Sequence, residues 1–581
     1  MWWLSNLALI LWLQAQPSYW RKLTDPDLNP FSGLYQLNAF DLAVMLPYFL
    51  IMIVLATYGM HRYWLVYYFF KYRHNAPGPP PPIEKWPKVT IQLPIYNERY
   101  VIERLVDAIS RIDYPRELLE VQVLDDSTDE TRDVASGCVE RYQALGFPVS
   151  YHHRTNRDGY KAGALDAGLQ HATGEFVAIF DADFIPPADF LRRTIPYFTD
   201  PQVGMAQTRW TYINRDYSAL TEVQGILLDG HFVVEHGGRS RRGTFFNFNG
   251  TAGVWRRRAI DEAGGWEHDT LTEDTDLSYR AQLKGWRFLY LLDVECASEL
   301  PVEMNAFKAQ QARWAKGLIQ VAKKILPRVL RSNQPWHIKA EAVFHLTANI
   351  SYPLMILLST MLLPAMIVRF YQGWFQMLVI DLPLFLASTF SISSFYLVAQ
   401  RQLHPKTWPR TFLYLPFVMA TGIGLAVRNS VAVIEALRGK QSEFVRTPKY
   451  RIGGTGSRVP RLRDGTACLE PNGIRAPAGA SDSPARTETT AGDESWVTKA
   501  YRRSAGWTPF VEVLLGFYFS ATTVYAIQNE NYATVPFLLL FVLGYFYTGF
   551  MSLGQTYLER LRCGLKAPVE ARPAATGAPS F

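Results

Sequence analysis

The chain has 581 residues, 48% hydrophobic and 14% aromatic, with a formal net charge of +7. That length exceeds one ordinary soluble domain and admits a catalytic domain plus further parts. The basic excess sits beside apolar stretches (Lys71, Arg73, Arg401, Lys406, Arg410, Arg560, Arg562), as cytoplasmic membrane flanks do, so the charge gives no case for nucleic-acid binding.

Residues 2–13, "WWLSNLALILWL", are apolar but short of the ~20 residues that cross a hydrocarbon core. No basic region precedes them, so a short membrane helix is preferred to a signal peptide. The run 40–66 is a full span, ended by "KYRH" at 71–74, and 1–75 is assigned to the membrane part. Residues 76–87, "APGPPPPIEKWP", form a stiff proline-rich linker. From 88 to 335 short β-rich runs ("KVTIQLPIYNE", "EVQVLDDS", "EFVAIFDADF", "VGMAQTRW") alternate with amphipathic segments such as 99–111 and 161–171. The alternation predicts βαβ units on a mostly parallel sheet, with ligands at the carboxyl ends of the strands.

Membrane and interfacial helices are expected over 336–452, with spans at 343–369 and 375–399. The segment 411–436 is basic on both flanks, so the charge rule does not orient it, and an in-plane or re-entrant helix is favoured over another span. Residues 453–495 have the composition of a disordered loop, 496–558 contain two spans (509–527 and 533–555), and 559–581 form a cytosolic tail. The four cysteines (Cys138, Cys296, Cys468, Cys563) lack metal-ligand or disulfide spacing and fit a reducing compartment.

Several of the predicted strands end in acid. "FVAIFDADF" delivers Asp181 and Asp183 to a strand tip, where two carboxylates can share one hard cation with a phosphate. "VQVLDDSTDE" does the same with Asp125 and Asp126, and "IQLPIYNE" brings Tyr96, Asn97 and Glu98. Consecutive strands with polar ends at one sheet edge make one crevice. In "RDGYKAGAL", Lys161 opens a helix where an ammonium and free N–H groups can meet a diphosphate. "LTEDTDLSYRA" offers Glu273 and Asp274, either as an N-capping acidic cluster or as a general base. "FKAQQARWAKG" supplies Gln310, Arg313 and Trp314: an Arg to neutralise a departing diphosphate and an indole to hold a sugar ring.

In this order, Asp-Asp, Asp-x-Asp, Thr-Glu-Asp and Gln-x-x-Arg-Trp, the chain resembles the processive family 2 glycosyltransferases, the group of cellulose, chitin and hyaluronan synthases. "QVLDDSTDET", "RDGYKAGAL", "FNFNGTAGVWR" and "QQARWAKG" look most like the cellulose-synthase-like glucan and mannan synthases. The resemblance covers about residues 88–330. It implies an α/β nucleotide-sugar transferase domain of type A, Rossmann-like, set between transmembrane helices. It also implies inverting transfer to the non-reducing end of a growing polysaccharide. Asp274 would be the base, with Glu273 and Arg313 beside it. Tyr96, Glu98, Asp125 or Asp126, and Lys161 would contact the nucleotide, and Asp181 and Asp183 would hold Mg²⁺ or Mn²⁺ on the diphosphate. Asn249, Gly250, Thr251, Gln310 and Trp314 would face the acceptor, and Phe444, Thr447 and Lys449 resemble a gating loop over the nucleotide. The expected donor is UDP-glucose first and GDP-mannose second. The expected acceptor is a polysaccharide, or a glycolipid if the enzyme adds one sugar at a time. Membrane lipids and further copies of the chain are the other partners considered. The expected site is a bacterial inner membrane with the domain cytosolic, or a Golgi membrane in a eukaryote. No cyclic di-GMP-binding domain is expected after the last span.

Overall fold

The computed structural model of this chain describes residues 39–372, 382–442, 446–452 and 506–565. The expected helix at 2–13, Phe444, the loop 453–495, the start of the expected span 375–399 and residues 566–581 of the tail lie outside the described residues.

Helix α1 (Ala39–Lys71) runs for 33 residues, most of them apolar. At 1.5 Å per residue it is about 50 Å long, more than a bilayer core requires. Its C-terminal part therefore continues into the globular domain, where Leu65 and Phe69 are buried. That domain is built on seven strands: β1 (Val89–Ile95), β2 (Leu119–Asp125), β3 (Val149–His153), β4 (Phe176–Ile179), β5 (Val203–Tyr212), β6 (Gly253–Arg256) and β7 (Arg287–Ser298). Their spatial order is β3-β2-β1-β4-β6-β5-β7. Helices α2 (Ile102–Ser110), α3 (Thr131–Ala144) and α4 (Tyr160–His171) supply the crossovers. The sheet is covered on both faces. Along β4, Phe176 and Ala178 enter one core while Val177 and Ile179 enter the other, which is why this strand is apolar without alternation.

Six strands point the same way, and β6 runs antiparallel to both neighbours, β4 and β5. The reversal has a consequence for the site. The parallel strands deliver their C-terminal ends to one edge, and β6 begins there, so the loop preceding it, Asn249–Thr251, lands at the same edge.

Helix α5 (Ala219–Asp229) runs through a π-helical turn, Gly230–His236, into α6 (Gly237–Arg242). Next come α7 (Glu273–Leu283) and the long α8 (Met304–Arg331). The remaining helices are α9 (Trp336–Thr347), α10 (Ser351–Gln372), α11 (Leu382–Leu403), α12 (Thr411–Gly424), α13 (Ala426–Leu437), α14 (Thr508–Gln528) and α15 (Val535–Leu565). Among the described residues four helical stretches are long and apolar enough to cross a membrane: 39–71, 336–368, 508–528 and 532–557. The stretch 408–437 is a pair bent by 41°, in keeping with a broken span or a re-entrant loop. The hairpin α14–α15 is fastened to α8 by a buried ion pair, Lys308 to Glu512 at 2.6 Å, with Ser552 accepting from Lys308 at 3.1 Å. A buried pair is expensive to half-break, so the two partners hold α8 against the bundle as a unit.

Candidate active site

The strand edge carries the expected acids because register puts them there. β1 and β2 pair so that Ile95 lies opposite Asp125, and the chain turns outward just beyond each. The resulting cleft, about 170 Å³, is lined by Tyr96, Glu98, Asp126, Lys161, Asp181, Asp183, Asn249, Gly250, Glu273, Asp274, Gln310, Arg313, Trp314, Thr447 and Lys449. Two expected residues stay out of it. Asp125 is fully buried, accepting from Tyr151 Oη at 2.6 Å and from the Ser127 amide at 2.9 Å, so it shapes the turn beneath Asp126. Of the pair "Asp125 or Asp126", only Asp126 lines the cleft. Thr251 is likewise buried, and its hydroxyl accepts from the Asp181 amide at 2.9 Å, fixing the strand tip.

Asp126, Asp181 and Asp183 each have a cation beside them. Arg154 grips Asp126 with both arms, Nε at 2.8 Å and Nη2 at 2.6 Å. Lys161 pairs with Asp181 and donates to the Gly250 carbonyl at 2.9 Å. Lys449 lies 2.7 Å from Asp183. Arg157 lies 3.4 Å over the Tyr96 ring. Burial would lower the Lys161 pKa, but Asp181 and Glu273 outweigh it and hold it raised. Burial pushes Glu98 up to about 8; Arg446 opposes the rise, and Asp183 and Asp181 add to it. Burial also raises Asp181. Carboxyls raised by one another in one cleft are relieved by a divalent cation. Asp181 and Asp183 together fit Mg²⁺ or Mn²⁺ with a substrate phosphate. A second acidic group, Glu267, Asp269 and Asp276, brings ligand atoms within 4.8 Å, but Lys324 already sits 2.6 Å from Asp269 and 3.1 Å from Asp276.

Asp274 opens α7 and accepts from the Thr275 amide at 2.6 Å. Burial, then the neighbouring Glu273, raises its pKa to about 7, where a carboxylate is a useful base. On α8, Gln310, Arg313 and Trp314 share one face, being three and four residues apart. Gly250 approaches Asp274 with φ +81°, and a Cβ there would lie 3.1 Å from Asp274 Oδ2 and 3.4 Å from Lys161 Nζ. Gly250→Ala is therefore expected to cost about 1–2 kcal/mol of backbone strain and to reduce turnover at least tenfold, read by thermal unfolding and initial rates.

The cleft does not close behind Asp274. A cavity of about 1400 Å³ extends from it among the membrane helices, and Trp210, Asn249, Thr272, Asp274 and Trp314 line both spaces. Asn349, Ser351 and Tyr352, polar residues that follow α9, line this cavity. Ser391 and Ser394 instead donate to backbone carbonyls, of Gly59 and Ser391. Sequence reasoning missed Arg154 and Arg157, although both fall in the basic run just before Lys161. It missed Trp210, His231 and Glu235 altogether, since they belong to no motif and meet only in three dimensions.

Residues 87–317 match the family described as glycosyltransferase-like family 2. Glucomannan 4-β-mannosyltransferase 1 of Oryza sativa subsp. japonica is 46% identical over 254 residues, 43% of this chain and 49% of that protein. Glucomannan 4-β-mannosyltransferase 2 of Arabidopsis thaliana is 44% identical over 254 residues, 43% of this chain and 48% of that protein. The chain thus spans about half the length of the curated relatives it matches. Among solved structures, a mannosyltransferase from Pyrobaculum calidifontis in complex with GDP-Man and Mn²⁺ is 25% identical. It covers 61% of this chain and 99% of its own, with a TM-score of 0.44.

Proposed function

We propose, for a chain whose residues 87–317 are a family 2 glycosyltransferase domain of the cellulose-synthase-like group, a membrane-embedded inverting hexosyltransferase that extends a β-linked polysaccharide. The observation that carries this reading is the position of Asp274 and Trp314 on the passage between an acid-lined cleft and a large cavity in the helix bundle. A donor in the cleft and an acceptor entering from the cavity would meet at Asp274.

Asp274 takes the proton from an acceptor hydroxyl, which displaces the nucleoside diphosphate from the anomeric carbon in one step. Arg313 and Lys161 face the charge that develops on the leaving group. Trp314 presents an indole surface to the acceptor ring, and Gln310 a hydrogen-bonding amide. Asp181 and Asp183 would hold Mg²⁺ or Mn²⁺, which supplies charge neutralisation at the diphosphate. Asp126, Tyr96 and Glu98 border the nucleotide end, with Arg446, Thr447 and Lys449 over it.

GDP-mannose is the preferred donor and UDP-glucose the second, the reverse of the order expected from the sequence; the mannosyl transfer in the names of the relatives supports this reading, and a 4-β-linked mannan or glucomannan is the matching product. The domain faces the cytosol, and 408–437 re-enters the membrane, which keeps 446–452 on the domain's side. The relatives are plant proteins and lend no support to a bacterial inner membrane. The test uses purified full-length protein with labelled GDP-mannose, UDP-glucose and other nucleotide sugars, with and without Mg²⁺ or Mn²⁺. The expected result is a metal-dependent polymer from GDP-mannose, degraded by an endo-β-mannanase. A single sugar on a lipid would establish the non-processive alternative, and absence of transfer from every donor would end the enzymatic reading.

A further inference from the structure

The π-helical turn Gly230–His236 is uncommon geometry, and such turns concentrate at functional sites. Helices α1 and α11 pack against it and its continuation into α6. A Cβ on Gly230 would lie 2.6 Å from the Phe395 ring on α11, and one on Gly238 would lie 2.9 Å from the Leu65 carbonyl on α1. The turn is thus a fixed wall of the large cavity.

It turns two polar side chains into that cavity, His231 and Glu235, which are 28% and 25% exposed and 2.8 Å apart. The other ring nitrogen of His231 faces Asn249 Oδ1 at 3.3 Å, so both nitrogens look at oxygen atoms. Asn249 lines the passage shared with Asp274, which places the His231–Glu235 pair one residue's reach from the reacting end. Behind the pair, Arg239 lies 3.7 Å from Glu235 and 2.9 Å from Glu341, which in turn meets His61 of α1 at 3.0 Å. Burial alone would raise the Glu235 pKa; the His231 hydrogen bond and the Arg239 charge overcome it and hold the group well below the ordinary carboxylate range. Trp210 borders the same passage, and its indole nitrogen is buried with no hydrogen-bond partner. A carboxylate, an imidazole and an amide beside the Trp210 ring, around an aromatic-sided space, form a set that binds the hydroxyls of a neutral sugar ring.

We propose that His231, Glu235, Asn249 and Trp210 form an acceptor subsite that binds the sugar ring next to the one whose hydroxyl gives its proton to Asp274. The proposal rests on the reading of Asp274 as the acceptor end of the site. The ligand chemistry is a neutral hexose ring, carried either by a growing chain or by a glycolipid head group.

Glu235→Gln and His231→Ala are made in the full chain and compared with the unaltered protein. Kinetics use mannotetraose, cellotetraose and a glycosylated lipid as acceptors, and equilibrium binding of each is read by tryptophan fluorescence. Both variants are expected to raise the KM for the preferred acceptor about tenfold, the loss of one well-placed hydrogen bond, with kcat at saturating acceptor and the donor KM changed less than twofold. Binding of that acceptor weakens in parallel. A preference for the tetrasaccharides identifies a polymer as the source of the ring, and a preference for the lipid identifies a glycolipid. Unchanged acceptor KM and binding, or a joint fall of kcat and donor affinity with unaltered acceptor KM, overturns the subsite. If the unaltered protein turns over no donor, the proposed function fails, while fluorescence still decides whether Glu235→Gln removes oligosaccharide binding.

Discussion

Asp274→Asn is expected to lower sugar transfer by ~10²–10⁴-fold, the usual cost of losing a general base, and to leave the protein folded and inserted. It is also expected to raise the thermal unfolding midpoint above pH 7. The carboxyl is pushed up to about 7 by burial and by Glu273, against ~3.9 for a free aspartate. A group whose pKa is raised on folding contributes stability that is fully present below the unfolded value, near pH 4, and is lost as the pH rises through 7. At pH 8 the native protein therefore carries a buried carboxylate at a cost that Asn does not incur, while Asn can still accept from the Thr275 amide. The same shift sets the rate profile. In the unaltered enzyme kcat/KM should rise through an apparent pKa near 7 and level off above it, with the coupled pair Glu273–Asp274 titrating as a unit. Circular dichroism, an unfolding scan at pH 5 and pH 8, and labelled-donor transfer read the three effects. Normal transfer by the variant would remove Asp274 from the mechanism.

The acids were legible because strand ends are legible. A buried strand can only be followed by polar residues where it leaves the sheet, so "FVAIFDADF" announces both its core and its edge. The helix face of Gln310, Arg313 and Trp314 was equally plain, since three- and four-residue spacing puts side chains together without knowledge of the fold. What the chain did not disclose is depth. Asp125 and Asp126 are neighbours of one type, yet a strand alternates its faces, and one carboxylate is turned inward to Tyr151 while the other meets the cleft. Thr251 was expected at the acceptor and instead holds the Asp181 backbone, because β6 enters the sheet in reverse and buries the residues nearest its start. The reversal itself has no local signal: "GVWR" reads the same in either direction of pairing. His231 and Glu235 stayed hidden for another reason. Their four-residue spacing on a helix ordinarily means a solvated pair, and only the packing of α1 and α11 against glycines turns it into a cavity wall.

Asp183→Asn should be nearly as damaging as loss of the base, through a different quantity. Free Mn²⁺ measured by electron paramagnetic resonance, in the presence of nucleoside diphosphate, should show affinity reduced at least ~10-fold, the lower bound seen when even outer-sphere partners of a metal are lost. Chelation should abolish transfer by the unaltered enzyme, and added Mg²⁺ or Mn²⁺ should restore it. The compensating charges sharpen the expectation. Lys449 sits 2.7 Å from Asp183, so the substitution leaves an ammonium without its carboxylate partner in a cleft into which a cation must be drawn. It also relieves Glu98, whose raised pKa owes part of its shift to Asp183 and Asp181. With Asp183 neutral, Glu98 ionises more readily and restores some of the lost negative charge, so the double variant Glu98→Gln, Asp183→Asn should bind Mn²⁺ more weakly than the single one. Asp125→Asn is the control. It removes a buried carboxylate that receives the Tyr151 hydroxyl outside the cleft, so it should lower the unfolding midpoint and leave Mn²⁺ affinity unchanged. Equal loss of Mn²⁺ affinity in Asp125→Asn and Asp183→Asn would mean that the metal is lost through collapse of the strand edge, and that Asp183 holds no cation.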